Sequence, residues 1–179
     1  MPQVQIRPVV TADIPALMQI DHQGKSEYVW QMDRVIEDNQ VSVNFREVRL
    51  PRSVRVEYPH AIDWSGEKLL SQGGLLVAIL ENELAGYIRL DDRYIPQTAW
   101  VRDLAVGVEF RRQGVASVLM IAAHEWAQQR KLRRMTLETH SKNYPAIRMA
   151  LKLGFEFSGF HDQYYASQDI AIFFSRLIR

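Results

Sequence analysis

Apolar and polar residues alternate with a period of two in several short stretches of this chain, and in others the apolar positions return every three to four residues. Val4-Gln5-Ile6 alternates and stops at Pro8, which predicts a first strand. Thr11 or Asp13 then stands where a helix cap is expected, with Pro15 in the first turn, Leu17 and Ile20 along one face, and Gly24 as the end. Between 25 and 72 the pattern is harder to follow. Val41, Val43 and Phe45 alternate, the apolar phase shifts to Val48 and Leu50, and Val54, Val56 and Tyr58 alternate again. This predicts two strands joined near Leu50-Pro51-Arg52, with a bulge at Arg46-Glu47. Arg46, Arg49, Arg52 and Arg55 recur every third residue here, as a solvated hairpin face or as an anion or partner surface.

After Gly73-Gly74 the periods are clear. Residues 75–80 and 83–90 read as strands around the turn Glu81-Asn82, an antiparallel hairpin, and 99–106 as a third. Val115, Val118, Leu119, Ala122 and Trp126 follow helical spacing to about Lys131. Residues 134–139 form a strand, and 145–153 a helix that Gly154 ends in the left-handed conformation. Two further strands, 155–160 and 169–178, finish the chain. The order β-α-(insert)-β-β-β-α-β-α-β-β implies an α/β (α+β) mixed sheet, expected to form one domain over 1–179.

Composition narrows the function. The 179 residues are 47% hydrophobic and 24% charged, ordinary for one globular domain. Cysteine is absent, which excludes disulfides, thiolate metal ligands and cysteine nucleophiles. With 22 Lys+Arg against 21 Asp+Glu, broad attraction to nucleic acid or an anionic membrane is not expected. The longest aliphatic run, 75–80, is too short to cross a bilayer, and MPQVQIRPVV lacks the apolar core of a signal peptide, so a cytoplasmic protein is expected. His22, His60, His124 and His161 are scattered without metal-ligand spacing, so no metal site is expected.

The stretch from Asp103 to Met120 carries the chemistry. A strand runs into Arg111-Arg112-Gln113-Gly114, and a helix starts at once. The free N–H groups of that helix start, with its dipole behind them and two arginines beside them, suit a phosphate; an ordinary tight turn is the plain alternative. Neither a Walker loop nor G-x-G-x-x-G is present.

Arg111-Arg112-Gln113-Gly114-Val115-Ala116 matches the acyl-CoA signature [QR]-x-x-G-x-[GA], and Asn143, Ala146, Gly154 and Phe155 match a second element, N-x-x-A-x-x-x-x-x-x-G-F. With Ile6-Arg7-Pro8 and Asp13 ahead of them, these motifs resemble the GNAT superfamily of N-acetyltransferases over residues 4–22 and 75–179. The resemblance implies the GNAT fold: a mostly antiparallel mixed sheet whose central strands splay, flanked by helices, with the insert 25–72 on the acceptor side. It implies acetyl-CoA as cosubstrate, its pantetheine along the backbone of Leu104, Ala105 and Val106. The pyrophosphate is expected on the N–H groups of the loop, so that Arg111, Arg112, Gln113, Gly114, Val115, Ala116 and Ser117 bind coenzyme, together with Asn143. The Val106 backbone is the expected donor to the thioester oxygen.

Acetyl transfer to an amine needs a base and a proton donor for the departing thiolate. The helix tyrosine that often supplies that proton is replaced by Ala150, so Tyr164 and Tyr144 are the candidate donors, with Tyr165 a further substitute. Glu138 is the candidate base, facing the cleft if Thr136 shares its side; pairing with an arginine is the alternative. His140 and Asp103 are weaker candidates for base. The C-terminal half is most similar to the streptothricin-acetyltransferase branch, which implies a small cationic amine acceptor. A protein N-terminal (ribosomal-protein-alanine) acetyltransferase and a non-catalytic acyl-CoA sensor are the rival readings. The acceptor is a small molecule or a peptide, and the insert and the last strand are the surfaces through which a homodimer could form.

Overall fold

The alternation at the start of the chain becomes β1 (Gln5–Pro8). It is seen in a computed structural model that describes residues 4–60, 62–64 and 74–179. A short turn of 3-10 helix (Thr11–Asp13) leads into α1 (Ile14–Met18). The helix is shorter than its apolar spacing suggests, and Asp13 does not cap it. Both Asp13 oxygens instead take the Arg7 guanidinium at 2.7 and 2.8 Å, and Oδ2 also accepts the Val10 N–H. A bidentate charged pair outcompetes a cap for the same carboxylate. Gly24 opens the next strand rather than closing the helix.

The insert departs most from its reading. It holds one long hairpin, β2 (Gly24–Glu37) and β3 (Gln40–Val56), paired from Gly24↔Val56 to Glu37↔Gln40. Leu50-Pro51-Arg52 is not a junction between strands. Ser26 pairs with Val54 and Tyr28 with Arg49, so the residues around Pro51 form a bulge inside β3, and the pairing through Arg46 and Glu47 is regular. Proline has no N–H for a ladder, so the strand buckles where it sits. The four arginines of this stretch are exposed, and Arg46 pairs with Asp33 at 2.9 Å.

The remaining elements are β4 (Leu75–Leu80), β5 (Glu83–Asp91), β6 (Thr98–Val106), α2 (Val115–Gln129), β7 (Arg134–His140), α3 (Tyr144–Lys152), β8 (Glu156–His161) and β9 (Ala171–Leu177). They build a seven-stranded sheet in the order β1-β4-β5-β6-β7-β9-β8, antiparallel except between β6 and β7. Val115, Leu119, Ala123 and Trp126 of α2 are buried on one face with Leu76, Ile88, Val101 and Leu137. Each such large side chain contributes roughly 1.5–3 kcal/mol by leaving water. Leu17 and Ile20 cover the other face with Val77, Tyr87 and Ala105. Gly154, at φ +76°, ends the third helix as expected. No helix among the described residues is long and apolar enough to cross a membrane.

The parallel pairing of β6 with β7 stops early. It joins Thr98–Val101 to Arg134–Leu137 and goes no further, so the strands diverge beyond Val101 and Leu137. A bulge lies at the same point: Leu90 pairs with Val101 and Arg89 with Asp103, leaving Arg102 extra in β6. Bulges bend the strand that carries them and end pairing, and this one turns β6 away from β7. Gly86 lets β5 stay close to the departing strand, since a Cβ there would lie 2.5 Å from the Ala105 carbonyl oxygen.

Candidate active site

Among the described residues no strand pairs with the β7-facing edge of 102–106, and the backbone groups of Leu104 and Val106, which alternate with those that Ala105 turns toward β5, point along this gap. The segment after β6 leads straight to the start of α2. Gly114 precedes that helix at φ +87°, a left-handed conformation that glycine adopts without strain. Its missing side chain is not required by crowding, because a Cβ there would meet nothing within 4 Å. Among the described residues, no backbone carbonyl accepts from the N–H groups of Arg112, Gln113, Gly114, Val115, Ala116 or Ser117. The result is an open, donor-rich helix start that fits a phosphate.

The two arginines of the loop differ. Arg112 is exposed at φ +67°, while the Arg111 guanidinium is committed to protein carbonyls. Its Nε donates to Val106 O at 3.0 Å, Nη1 to Gln23 O at 2.9 Å and Nη2 to Asp21 O at 2.6 Å. Arg111 therefore anchors the approach to β2 at the end of β6. Further along, the Trp30 N–H donates to Ser141 O just past β7. β2 thus spans the gap between the two diverging strands.

On the sheet face away from α2, the gap holds two buried carboxylates. Asp103 of β6 accepts from Arg89 Nε and from the Tyr58 hydroxyl. Both of its oxygens therefore have protein partners. Burial, then the Asp103 charge, push the Tyr58 and Tyr87 hydroxyls far above the usual phenol range, so both stay protonated. His22 packs on Tyr58 and its Nε2 lies 2.7 Å from the Tyr87 hydroxyl. Burial keeps this imidazole below its ordinary pKa.

Glu138 of β7 is the second carboxylate, its side chain only 6% exposed. Thr136 shares its side of the strand, bonded to Ser175 at 2.9 Å. Tyr165 donates to Glu138 Oε1 at 3.2 Å and Tyr164 to Oε2 at 3.3 Å, and His60 Nε2 lies 3.6 Å from Oε1. Burial and then the Glu138 charge hold both phenols in the protonated, donating form. The short strap after β3 therefore spans both diverging strands, with Tyr58 on Asp103 and His60 on Glu138.

His140 stacks on Tyr165, with ring centroids 5.1 Å apart and planes 4° from parallel. Its Nδ1 accepts the Lys142 N–H at 3.2 Å, and its Nε2 faces Asp169 Oδ2 at 3.0 Å. This fixes a neutral imidazole with the proton on Nε2 and no lone pair free for a substrate. Burial accordingly lowers its pKa in spite of the Asp169 charge. Tyr144 lies elsewhere: its ring stacks on Tyr28 at 4.7 Å and its hydroxyl sits beside Glu47. Asn143 caps α3, its Oδ1 accepting from the Ala146 N–H at 3.3 Å, which leaves its amide N–H groups for another partner. Ala150 is fully buried.

The strap and the α1–β2 segment enclose a cleft of about 410 Å³ lined by His22, Tyr58, His60, Asp21, Glu57 and Arg55, among others. The structure brings the sequence candidates Glu138 and Tyr164 together and adds His60, which the sequence reading treats only as one of several scattered histidines. The signal was the continued alternation Val54, Val56, Tyr58, His60, which puts the last two on one side of an extended strap.

Comparison with known proteins gives a consistent picture. The model of the acetyltransferase (GNAT) family matches residues 28–155. An L-amino acid N-acetyltransferase of Escherichia coli K12 is 31% identical over 116 residues, 61% of this chain and 71% of that protein. A streptothricin acetyltransferase of Escherichia coli is 34% identical over 82 residues, 46% of this chain and 47% of that protein, so the match spans less than half of that relative. Among solved structures, a Bacillus anthracis protein assigned as a streptothricin acetyltransferase, in complex with acetyl coenzyme A, superposes with a TM-score of 0.82. It covers 99% of both chains at 21% identity.

Proposed function

The chain belongs to the acetyltransferase (GNAT) family and is an N-acetyltransferase, and from that premise we propose that it moves an acetyl group from acetyl-CoA to a primary amine of a small cationic molecule, of the streptothricin kind. The observation that carries the acceptor reading is Glu138, a buried carboxylate beside the gap between the diverging strands, oriented by two tyrosine hydroxyls. A buried negative charge at that point attracts a cation strongly because little water screens it.

The residues of the loop fit the coenzyme. The unpaired N–H groups from Arg112 to Ser117 would hold its pyrophosphate, the outer edge of β6 at Leu104, Ala105 and Val106, through the groups that do not face β5, its pantetheine amides, and the Asn143 side chain would add a contact. When bound, acetyl-CoA supplies its acetyl group as a thioester. Arg111 positions this edge through the Val106 carbonyl rather than binding phosphate with its side chain. Glu138 draws the acceptor ammonium into the gap and balances the charge of the proton that must leave it, since an alkylammonium has an ordinary pKa near ~10.4. Tyr164, kept protonated beside Glu138 and partly open to solvent, holds a proton for the departing sulfur.

The test is thiol release from acetyl-CoA on addition of streptothricin. The chain has no cysteine, so every thiol detected comes from the coenzyme. Release that depends on the amine, saturates with it and falls at least about 100-fold in Glu138→Gln is expected. Release that is absent with streptothricin but present with free amino acids would replace the acceptor.

A further inference from the structure

The carboxylate of Glu138 is met by a group that the acetyl-transfer reading leaves unused. His60 reaches it from the strap, its Nε2 3.6 Å from Oε1, and its side chain is 27% exposed where Glu138 is 6% exposed. The same imidazole lines the 410 Å³ cleft. Glu138 thus lies behind His60, already holding the Tyr164 and Tyr165 hydroxyls, while His60 is the member of the pair that faces the cleft. Nε2 is the ring nitrogen turned toward Glu138, which leaves Nδ1 as the other ring nitrogen.

We propose that His60, oriented by Glu138, is the catalytic base that takes the proton of the acceptor ammonium. This rests on the reading of the gap as the amine site. In this step an N–H bond of the ammonium breaks and an N–H bond forms at Nδ1 of His60. The nitrogen keeps the electron pair with which it attacks the thioester carbonyl. The imidazolium is held by the Glu138 carboxylate and returns its proton to water in the open cleft once product has left. The groups facing His60 are consistent with this traffic. Glu138 faces it from β7 and Tyr58 from its own strap, while Asp21 and His22 from the α1–β2 segment, with Arg55 and Glu57 from the end of β3, line the same cleft.

Two measurements on the whole chain test the proposal. In an NMR spectrum of the imidazole carbons, the resonance missing from His60→Gln identifies His60. That resonance should move in Glu138→Gln, because the ring lies against that carboxylate; an unmoved resonance overturns the pair. In thiol release with streptothricin, His60→Ala should lose at least about 100-fold in kcat/KM and the acidic limb of the pH profile, and added imidazole should restore part of the rate. Its stabilisation by acetyl-CoA in a thermal melt should match that of the wild type. His60→Ala with undiminished turnover overturns the proposal. If the wild type does not turn over streptothricin, the acceptor reading falls, and the response of the His60 resonance to Glu138→Gln still decides whether Glu138 and His60 act as a pair.

Discussion

Arg111 donates Nη2 to the Asp21 carbonyl at 2.6 Å, tying the loop before α2 to the approach to β2. The same guanidinium also holds Gln23 O and Val106 O, so one side chain fixes both the end of β6 and one wall of the cleft.

Arg111→Ala should therefore destabilise the fold and loosen the cleft together. Three partly solvated hydrogen bonds contribute about 2 kcal/mol in sum, or roughly 4–8 °C in a melt for a chain of this length. The KM for the amine should rise several-fold. Arg111→Lys, a single point charge, should recover only part of the melting temperature.

Gly114 separates two effects. Gly114→Ala should cost about 1 kcal/mol through its left-handed backbone and leave the open space in front of α2 nearly intact. Gly114→Trp fills that space. Acetyl-CoA at about one hundred times its Kd should stabilise the wild type by roughly 2.7 kcal/mol. That gain should survive the alanine and vanish with the tryptophan; a shift retained by Gly114→Trp would remove the loop from the coenzyme site.

Tyr164 and Tyr144 should differ in kinetics. Tyr164→Phe removes a hydroxyl that bonds Glu138 and should lower kcat by about tenfold or more with little change in melting temperature. Tyr144→Phe keeps the ring stacked on Tyr28 and should leave kcat within about twofold. The reverse order would exchange their roles.

His140 makes stability depend on pH. Burial lowers its folded-state pKa below the unfolded value of about 6.5, so the unfolded chain binds a proton that the folded chain resists. Stability from this source is complete above pH ~6.5 and is lost as pH falls from there through the folded-state pKa. His22 and His124, also lowered by burial, act in the same direction. Denaturant unfolding between pH 5 and pH 8 should show stability rising with pH, and His140→Gln should flatten that slope.

Most of the sheet was legible because its strands have one or two buried faces and write that burial as period two or as an apolar run. β2 was not, since its burial pattern follows no clear alternation and its second half, Gln31 to Glu37, is almost wholly solvated. The Asp38-Asn39 turn was the signal that went unread, and Pro51 looked like a boundary because a bulge and a turn use the same residue type. The loop-to-helix turn at Gly114 was legible, yet the commitment of Arg111 was not, because two of its three carbonyl partners lie far away in sequence. Glu138 followed from strand parity alone. Its neighbours came from three separate connections whose meeting no local pattern encodes.

β1 pairs with β4 across the whole intervening ribbon, Gln5 opposite Ile79 and Pro8 opposite Leu76. The strand made first must therefore wait for one made much later, against the entropy of closing a long loop. Until it docks, the outer edge of β4, the unbroken apolar run Leu75–Leu80, lies open to any other chain. Such an edge invites intermolecular pairing, so the few residues of β1 act as a guard against aggregation as much as a source of stability.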